Sequence, residues 1–302
     1  ADQKFMTIFS MLCGAGIVLM TSRAEARTGH SAGVHYRRMG WLILFGMMHA
    51  YLLWYGDILF TYGLCGLLAW VFRKLHPAIL IPVGLVTVSV ASLISVGFGL
   101  TLSMAPPEAL EGMRTSWTPN AEELAAEIQA YQGSRLDQMS QRVPTSIFFQ
   151  TFLFMTWAAW RAGGLMLIGM GLYKLGVFSA RRSAAFYWFW IVLALLIGAP
   201  VVMWGVRENT RHNWDLAYSF FFGVEWNYWG SLLVSMGWVG VTMLACKTKL
   251  ANSALRPLAA VGRMAFTNYL MQTVICTTIA YGHGFGMFGT LERIEQIGIV
   301  AG

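Results

Sequence analysis

The sequence has 302 residues, of which 57% are hydrophobic and only 12% are charged, and its formal net charge is +7. A water-soluble globular chain usually carries about 25% charged residues, so this composition excludes an ordinary soluble domain and indicates a membrane protein. The basic residues lie in short gaps between apolar runs, which favours anchoring of loops at a membrane surface over nucleic-acid binding.

Apolar runs close to the ~20 residues that a helix needs to cross hydrocarbon recur along the chain. Lipid offers backbone groups no hydrogen-bond partner, and no segment alternates apolar and polar residues as barrel strands do, so the spans are predicted to be helices. We therefore predict an all-α, polytopic membrane helix bundle, a single transmembrane domain over residues 1–302 with about eight spans. The predicted spans are residues 5–21, 39–56, 57–72, 78–103, 146–178, 183–205, 226–246 and 260–282. Arg161 interrupts the long fifth span, whose first half is predicted to project beyond the hydrocarbon or to bend.

The gaps after the first, third, fifth and seventh spans are basic. They fall on one side of the membrane if every span crosses once, and the positive-inside rule makes that side the cytoplasm. The basic residues of these gaps are Arg23, Arg27, Arg37, Arg38, Arg73, Lys74, Arg181, Arg182, Lys247, Lys249 and Arg256.

The long gap at residues 104–145 falls on the opposite side. Its segment NAEELAAEIQAYQ (120–132) begins with an Asn cap and acidic residues, and Leu124, Ile128 and Tyr131 share one helix face. This pattern predicts an amphipathic extracytoplasmic helix that lies over the mouth of the bundle. A solvated connecting helix without a functional role is the alternative.

Two ionisable residues stand in the apolar stretch GMMHAYLLWYGDIL (46–59), His49 near mid-membrane in the second span and Asp57 at the start of the third. The tight turn between these spans makes them antiparallel neighbours. His49 is therefore predicted to face Asp57, or Thr61 one turn further along the same face. A carboxylate that orients an imidazole suits base catalysis near neutral pH, and aromatic residues such as Trp54 can wall a substrate cleft.

Both residues also have structural explanations. An Asp after a Gly at a helix start is a preferred N-cap, which by itself accounts for Asp57. The ring of His49 can be satisfied by a hydrogen bond to a neighbouring carbonyl. The cost of an ionisable group at membrane depth, at least ~2.5 kcal/mol for charged forms, favours a functional role.

The segment VGRMAFTNYLMQT (261–273) enters the last span from the basic side. Asn268, Tyr269 and Gln272 fall within an arc of about 100° on a helical wheel, so they are predicted to face the bundle interior together. They can donate to a developing oxyanion, or they can serve as polar contacts between helices. Arg263 is placed to meet a phosphate, of either a lipid headgroup or a nucleotide-bearing donor.

Weaker signals lie elsewhere in the chain. Glu225 and His283 are near the outer ends of their helices, where both can join an outward-facing site. Glycines at positions 164, 169, 171 and 176 predict close helix packing. The cysteines show no CxxC or Cys/His spacing, so they are predicted to be small hydrophobic residues and neither metal ligands nor disulfides.

Four ordered motifs resemble the YeiB-like family of bacterial inner-membrane proteins (domain of unknown function 418), and the resemblance covers nearly the whole chain. They are KFMTIFSMLCGAG (4–16), HAYLLWYGDILFTYGLCG (49–66), GLMLIGMGLYKLG (164–176) and VGRMAFTNYLMQ (261–272). The resemblance implies a multi-pass protein of the bacterial inner (cytoplasmic) membrane. The family is more distantly similar to membrane acyltransferases of the heparan-glucosaminide N-acetyltransferase type. The GDILFTY turn and the polar TNY helix resemble features of those enzymes.

Members of this family usually begin with an additional helix after an LDxLRG-like segment and end with another near a GPxEWLWR pattern. Neither pattern occurs in the 302 residues. The resemblance therefore implies about ten spans in intact members, and we expect the outer two to be absent from this chain.

The leading functional hypothesis is acyl transfer from an activated cytoplasmic donor, acyl-CoA among the possibilities, to a small-molecule, glycan or lipid acceptor outside. His49 is the predicted general base and Asp57 its orienting carboxylate. The predicted substrate-binding residues are Trp54, Thr61, Glu225, Arg263, Asn268, Tyr269 and Gln272, the last three stabilising the oxyanion. The alternatives are a small-solute or proton-coupled transporter and a sensor or assembly protein without turnover. Membrane lipids are expected partners, and an oligomer is compatible with the sequence.

Overall fold

A computed structural model describes residues 2–104, 106–248 and 255–301, and every regular element within these ranges is helical. The all-α prediction is therefore confirmed for this part of the chain. Lys249 of the predicted basic gaps lies outside the described residues.

The helices follow one another in chain order as α1 to α15. Three of them continue without a break through a π-helical stretch into the next helix. The bounds are α1 Asp2–Thr28, α2 Ala32–Met48 with a π turn His49–Leu53, α3 Leu59–Ala69 with a 3₁₀ turn Trp70–Lys74, α4 Pro77–Ser103, α5 Pro107–Trp117, α6 Ala121–Gln132, α7 Arg135–Phe148 with a π stretch Phe149–Ala158, α8 Ala159–Lys174, α9 Ala184–Leu193 with a π stretch Ala194–Gly198, α10 Ala199–Arg211, α11 Leu216–Tyr218 with a π stretch Ser219–Gly223, α12 Val224–Lys247, α13 Arg256–Arg263, α14 Ala265–Ala280 and α15 Arg293–Ala301.

All eight predicted apolar segments are helical, but they differ in length. Five helices in the described ranges are long and apolar enough to cross a membrane, as expected of a membrane protein. These are Gln3–Thr28, Pro77–Leu102, Arg135–Lys174, Ala184–Arg211 and Leu216–Lys247. The other three segments correspond to α2, α3 and α14. The helix of α2 continues through its π turn to Leu53, 22 residues in all, whereas α3 and α14 are shorter. The 16 residues of α14 rise only about 24 Å, less than the ~30 Å of hydrocarbon.

The predicted basic gaps meet at one end of the bundle. Arg73, at the end of α3, pairs with Glu25 of α1 at 3.0 Å. Lys174, at the end of α8, donates to the carbonyl of Leu75, in the turn between α3 and α4, at 2.6 Å. Lys247 donates to the carbonyl of Arg182, which joins the end of α12 to the turn before α9. This arrangement agrees with the prediction that the basic gaps lie on one side of the membrane if every span crosses once.

The opposite end carries the helix predicted at 120–132, which is present as α6 with a capping box formed by Asn120 and Glu123. Tyr131 is buried and stacks on Tyr281, which follows α14, with ring centroids 4.9 Å apart. Leu124 of the predicted apolar face stays exposed. The helix packs on α7 and, through its C-terminal half, on the segment that follows α14.

Glycines bring the backbones of α1 and α8 into contact. The spacing of the glycines in α8 predicted such close packing. A Cβ added to Gly169 would lie 2.0 Å from the carbonyl oxygen of Met11, and one added to Gly14 would lie 2.0 Å from that of Met166. Side chains longer than hydrogen cannot fit between the two helices at these points. The close packing predicted from the glycines is confirmed for Gly164, Gly169 and Gly171, whereas Gly176 lies in the turn after α8 with a φ of +76°.

Replacing Gly169 with alanine is expected to reduce the yield of folded protein and to lower its melting temperature in detergent. The new methyl group would overlap the backbone of α1, and overpacking of this kind usually costs about 1–3 kcal/mol. Gly163→Ala is the matched control, because a Cβ at Gly163 in the same helix meets no atom within 4 Å. Equal melting temperatures for the two variants would contradict the tight crossing.

Arg161 lies inside the bundle, in a helical stretch that runs without a break from Arg135 to Lys174. At about 1.5 Å per residue these 40 residues span about 60 Å, long enough for the first half to project beyond ~30 Å of hydrocarbon as predicted. The Arg161 side chain is 0% exposed and donates to the carbonyl of Tyr228 at 3.1 Å and to the hydroxyls of Thr7 and Ser231 at 3.1 and 2.9 Å. Its guanidinium also lies 4.2 Å from the ring centroid of Tyr228. Because α1 and α12 supply these partners and α8 carries the arginine, the charge is accommodated where α1, α8 and α12 meet.

Candidate functional site

The site is built where α2 ends in the π turn His49–Leu53. Because the helix ends at Leu53, its last carbonyls have no helical partners. Arg142, which is 2% exposed, donates to the carbonyls of Tyr51 and Leu53 at 3.0 and 2.8 Å. These bonds from α7 hold the turn in place and so fix the position of the imidazole at its start.

Asp57 is shared between two partners. Its Oδ2 accepts from the backbone N–H of Phe60 at 2.7 Å, as a residue capping the start of α3 does. Its Oδ1 lies 3.1 Å from Nδ1 of His49, within ion-pair distance but without the alignment of a hydrogen bond. The capping explanation and the pairing with His49 are therefore compatible, because each uses a different carboxylate oxygen.

Gly46 permits this close approach of α2 and α3. A Cβ at Gly46 would lie 2.3 Å from the backbone nitrogen of Phe60 and 2.7 Å from Oδ2 of Asp57. Only a glycine leaves room for the capped end of α3 against α2. The small residue one turn before His49 is thus part of the geometry that brings the carboxylate to the imidazole.

A third helix, α14, completes the site through Thr273 and Tyr269. Oγ1 of Thr273 lies 3.0 Å from Nε2 of His49, on the side of the ring opposite Asp57. The same hydroxyl is within 3.2 Å of the carbonyl of Tyr269, to which it can also donate. The Tyr269 hydroxyl donates to Oδ1 of Asp57 at 3.4 Å and accepts from the backbone N–H of Ile58 at 3.4 Å.

The polar groups of the site are enclosed by protein. The side chains of His49 and Asp57 are 0% and 1% exposed. The rings of Tyr269 and Trp54 cover the imidazole, with centroids 4.9 and 6.4 Å from it. Electrostatic attractions and hydrogen bonds are stronger in such enclosed surroundings than they are in water.

The predicted inward-facing arc is wrong for Asn268 and Gln272, whose side chains are exposed. Each helical residue turns the face by about 100°, so Thr273 lies only about 40° from Tyr269. Asn268 and Gln272 are turned about 100° and 60° to the other side of Tyr269. The inward face is therefore centred between Tyr269 and Thr273, and the amide of Asn268 instead donates to the carbonyl of Val261 at 3.2 Å.

The remaining predicted residues are distributed over the molecule. Thr61 is half-buried one turn beyond Asp57 in α3, and Arg263 is exposed at the end of α13. Glu225 accepts from Ser92 of α4, in the part of the bundle that also holds Arg161. His283 meets Gln138 at 3.1 Å, at the end opposite the basic gaps. In the part of the chain that the structure describes, Arg263, Glu225 and His283 do not contact His49.

Thr273, Arg142 and Ser146 were missed in the sequence. Thr273 ends the polar segment 261–273, and its position four residues after Tyr269 was a signal that helical spacing offered. Ser146 donates to the carbonyl of Ala50 at 3.1 Å and supports the π turn beside Arg142. No local pattern indicates either of these two, because their partners are backbone atoms about ninety residues away.

The arrangement places a carboxylate, an imidazole and a hydroxyl in a row. In the tautomer that carries its proton on Nδ1, the nitrogen nearest Asp57, Nε2 is free to accept the proton of the Thr273 hydroxyl. A base oriented by a carboxylate and in reach of a hydroxyl is the arrangement that activates hydroxyl groups for acyl transfer on many unrelated folds.

The four motifs noted in the sequence contact one another in the fold, and segment 4–16 also meets segment 49–66 where Ser10 donates to the Tyr62 hydroxyl at 3.2 Å. The segments 4–16 and 164–176 meet at the glycine crossing of α1 and α8. The segments 49–66 and 261–272 meet where Tyr269 contacts Asp57. One pair thus builds the packing of the bundle, and the other forms the polar site with Thr273 directly after it.

Comparisons with known proteins give one family. A family model described as "Protein of unknown function (DUF418)" matches residues 172–302. The chain is 30% identical over 328 residues to YxaH of Bacillus subtilis (strain 168), covering 95% of this chain and 68% of that protein. It is 26% identical over 299 residues to YeiB of Escherichia coli (strain K12), covering 98% of this chain and 73% of that protein.

A 39.9 kDa protein in the amylase 3′ region of Bacillus acidopullulyticus is 25% identical over 296 residues, covering 98% of this chain and 70% of its own length. All three relatives are named as uncharacterized proteins, so they lend no activity to this chain. No solved structure matches. The chemistry has to be argued from the site itself.

Proposed function

The chain belongs to the DUF418 family of proteins, and we propose that its polar site transfers an acyl group from an activated cytoplasmic donor to an acceptor on the outer side of the membrane. The observation that carries this proposal is the row formed by Asp57, His49 and Thr273. His49 lies within 3.1 Å of the carboxylate and 3.0 Å of the hydroxyl.

In this proposal His49 acts as the base. Its Nε2 takes a proton from the attacking hydroxyl, either that of Thr273 or that of an acceptor in its place, as the hydroxyl oxygen attacks the donor's carbonyl carbon. Asp57 stabilises the imidazolium that forms, and the Tyr269 hydroxyl steadies the carboxylate. The bond between the acyl carbon and the leaving group then breaks, and His49 returns the proton to that leaving group. Where Thr273 is the nucleophile, the acceptor hydroxyl next attacks the acyl-threonine ester, His49 takes its proton, and the proton passes to the released Thr273 oxygen. Trp54 forms one wall of the space that the acyl group would occupy.

Entry of the substrate requires movement, because the pair is enclosed in this conformation. Residues 54–56 are the part most suited to open, since Trp54 is 39% exposed and covers one edge of His49. His49 and Asp57 would stay in place, because Arg142 holds the π turn and Asp57 accepts from the backbone N–H of Phe60.

The proposed location is the bacterial inner membrane with the basic end of the bundle in the cytoplasm, as the positive-inside rule implies. Asp57 then lies toward the outer surface and His49 deeper in the membrane. A donor would approach from the basic end, and a small-molecule, glycan or lipid acceptor from the other.

Transport of a small solute or of protons is the competing proposal, and the buried Arg161 with Glu225 nearby is the observation that favours it. Charged residues inside a membrane commonly mark ion or substrate paths. Flux into proteoliposomes without formation of a covalent product would support transport. Product formation from acyl-CoA without flux would support transfer.

Replacing Thr273 with valine is expected to lower the rate of acyl transfer at least tenfold, whereas Thr273→Ser should keep most of it. Valine preserves the shape of the side chain but removes the hydroxyl that faces His49. Transfer is measured with the full chain in proteoliposomes, radiolabelled acetyl-CoA or palmitoyl-CoA, and an extract of membrane lipids and glycans as acceptor.

Thr277→Val is the control, because Thr277 is buried one turn further along α14 and its hydroxyl donates only within that helix. Full activity in Thr273→Val would remove the hydroxyl from the mechanism. A wild-type protein that forms no product from either donor would contradict the proposed function as a whole.

A further inference from the structure

A groove of about 540 Å³ lies between the second half of α1 and the first half of α2, at the basic end of the bundle. Its walls include the apolar side chains of Leu19, Met20 and Val34. Its polar lining includes three arginines, Arg23, Arg27 and Arg38. The groove belongs to neither the His49 site nor the glycine crossing, and it is therefore a separate feature of the molecule.

The charge of these arginines is not neutralised by the protein in the described ranges. All three are exposed, and none forms an ion pair there. Arg73, at the same end of the bundle, does have such a partner in Glu25, at 3.0 Å. Three positive charges around one concave surface attract an anion, and guanidinium groups match the geometry of phosphate oxygens.

The shape and polarity of the groove indicate an amphiphilic ligand. Apolar walls below a cationic rim suit a molecule with a phosphate at one end and an apolar or extended portion at the other. Gly16 also lines the groove, and a Cβ placed on it would meet no atom within 4 Å. The space beside α1 is thus open and not filled by neighbouring side chains.

We propose that this groove binds a phosphate-bearing amphiphile, with its phosphate on Arg23, Arg27 and Arg38 and its less polar part against Leu19, Met20 and Val34. Two sources share this chemistry. One is the headgroup of an anionic phospholipid, and the other is the phosphate groups of a coenzyme A thioester.

The donor source rests on the proposed acyl transfer, whereas the lipid source is independent of it. Arg38 precedes His49 by eleven residues in α2, which corresponds to a rise of about 16 Å. The same spacing leaves the two residues about 20° apart around the helix, on one face. A donor held at the groove would therefore lie below the imidazole on the same side of α2.

The test measures binding to the purified full chain in detergent by isothermal titration calorimetry, with two probes. The probes are dioctanoyl-phosphatidylglycerol and coenzyme A, at low and at high salt. The wild type is expected to bind at least one of them. Arg23→Gln, Arg27→Gln and Arg38→Gln combined are expected to weaken that binding at least tenfold, and high salt should weaken it in the wild type.

Gly16→Leu separates the groove from surface charge, because it fills the cavity while leaving all three arginines in place. It is expected to weaken binding about as much as the triple substitution. The matched controls are Gly33→Leu, where a Cβ also meets no atom within 4 Å, and Arg37→Gln, an exposed neighbour that does not line the groove. Both controls should bind like the wild type.

The outcomes separate the possibilities. Phosphatidylglycerol bound alone identifies a lipid site, and coenzyme A bound alone identifies a donor site. Binding that survives the triple substitution or Gly16→Leu would overturn the proposal, as would a wild type that binds neither probe. If the wild type transfers acyl groups yet binds neither probe at the groove, this inference fails and the proposed function stands. Single Arg27→Gln keeps the test valid if the triple variant does not fold.

Discussion

Replacing Arg161 with alanine is expected to lower the free energy of unfolding by roughly 3–5 kcal/mol, the range seen when a large, fully buried side chain is removed. The side chain is 0% exposed and packs against the ring of Tyr228. Alanine would leave a cavity where α1, α8 and α12 meet. It would also remove three hydrogen bonds that tie these helices together.

Arg161→Met distinguishes packing from charge. Methionine fills much of the same volume and removes the cost of burying an ion, and apolar replacements of buried ionic groups are often neutral or stabilising. We expect its melting temperature in detergent to stay close to that of the wild type. Arg114→Ala, an exposed arginine of α5, serves as the control.

A melting temperature for Arg161→Ala equal to that of Arg114→Ala would contradict the central position of this side chain. If Arg161→Met is as unstable as Arg161→Ala, the hydrogen bonds and not the volume hold the junction. If Arg161→Met folds normally but abolishes flux into proteoliposomes, the transport proposal gains support.

Replacing Asp57 with asparagine is expected to leave the fold intact and to lower acyl transfer by roughly 10²–10⁴-fold, the contribution usual for general base catalysis. An asparagine oxygen can still accept from the backbone N–H of Phe60, so the cap of α3 is preserved. The negative charge beside His49 is lost, and with it the stabilisation of the imidazolium.

Asp57→Ala removes both functions of the side chain, so it should lower the melting temperature as well as the activity. The comparison of Asp57→Asn with Asp57→Ala therefore separates the cap from the pair with His49. Wild-type transfer by Asp57→Asn would show that the carboxylate serves only as a helix cap.

Much of the architecture was predictable because hydrophobic runs determine where helices can lie in a membrane. The ends of the helices were less predictable. The span predicted to begin at 146 starts at Arg135, because Ser134 and Asp137 form a capping box that extends the helix beyond the apolar run. The basic gaps meet at one end, as the alternation of spans implied.

The site was only partly predictable. His49 and Asp57 stand out because ionisable groups are costly in an apolar segment, and the short turn between them brings their helices together. The orientation of α14, the third helix of the site, could not be predicted from its polar residues alone. Asn268 and Gln272 looked as polar as Tyr269, yet the face that packs on His49 is the one shared by Tyr269 and Thr273.

The supporting arginines could not be assigned at all, because an arginine in an apolar run can equally well break a helix or lie buried in a bundle. Arg161 and Arg142 are both buried, and each donates to carbonyls or hydroxyls of distant segments. Such contacts depend on how the helices pack, and no local spacing encodes them.

The most direct test of the His49 site is covalent product formation from radiolabelled acyl-CoA and a membrane extract. It compares the wild type with His49→Ala and with His30→Ala, which alters an exposed histidine in the turn between α1 and α2. Our account predicts product from the wild type and from His30→Ala, and a loss of at least a hundredfold in His49→Ala, consistent with the usual contribution of a general base. Equal product from all three proteins would contradict it.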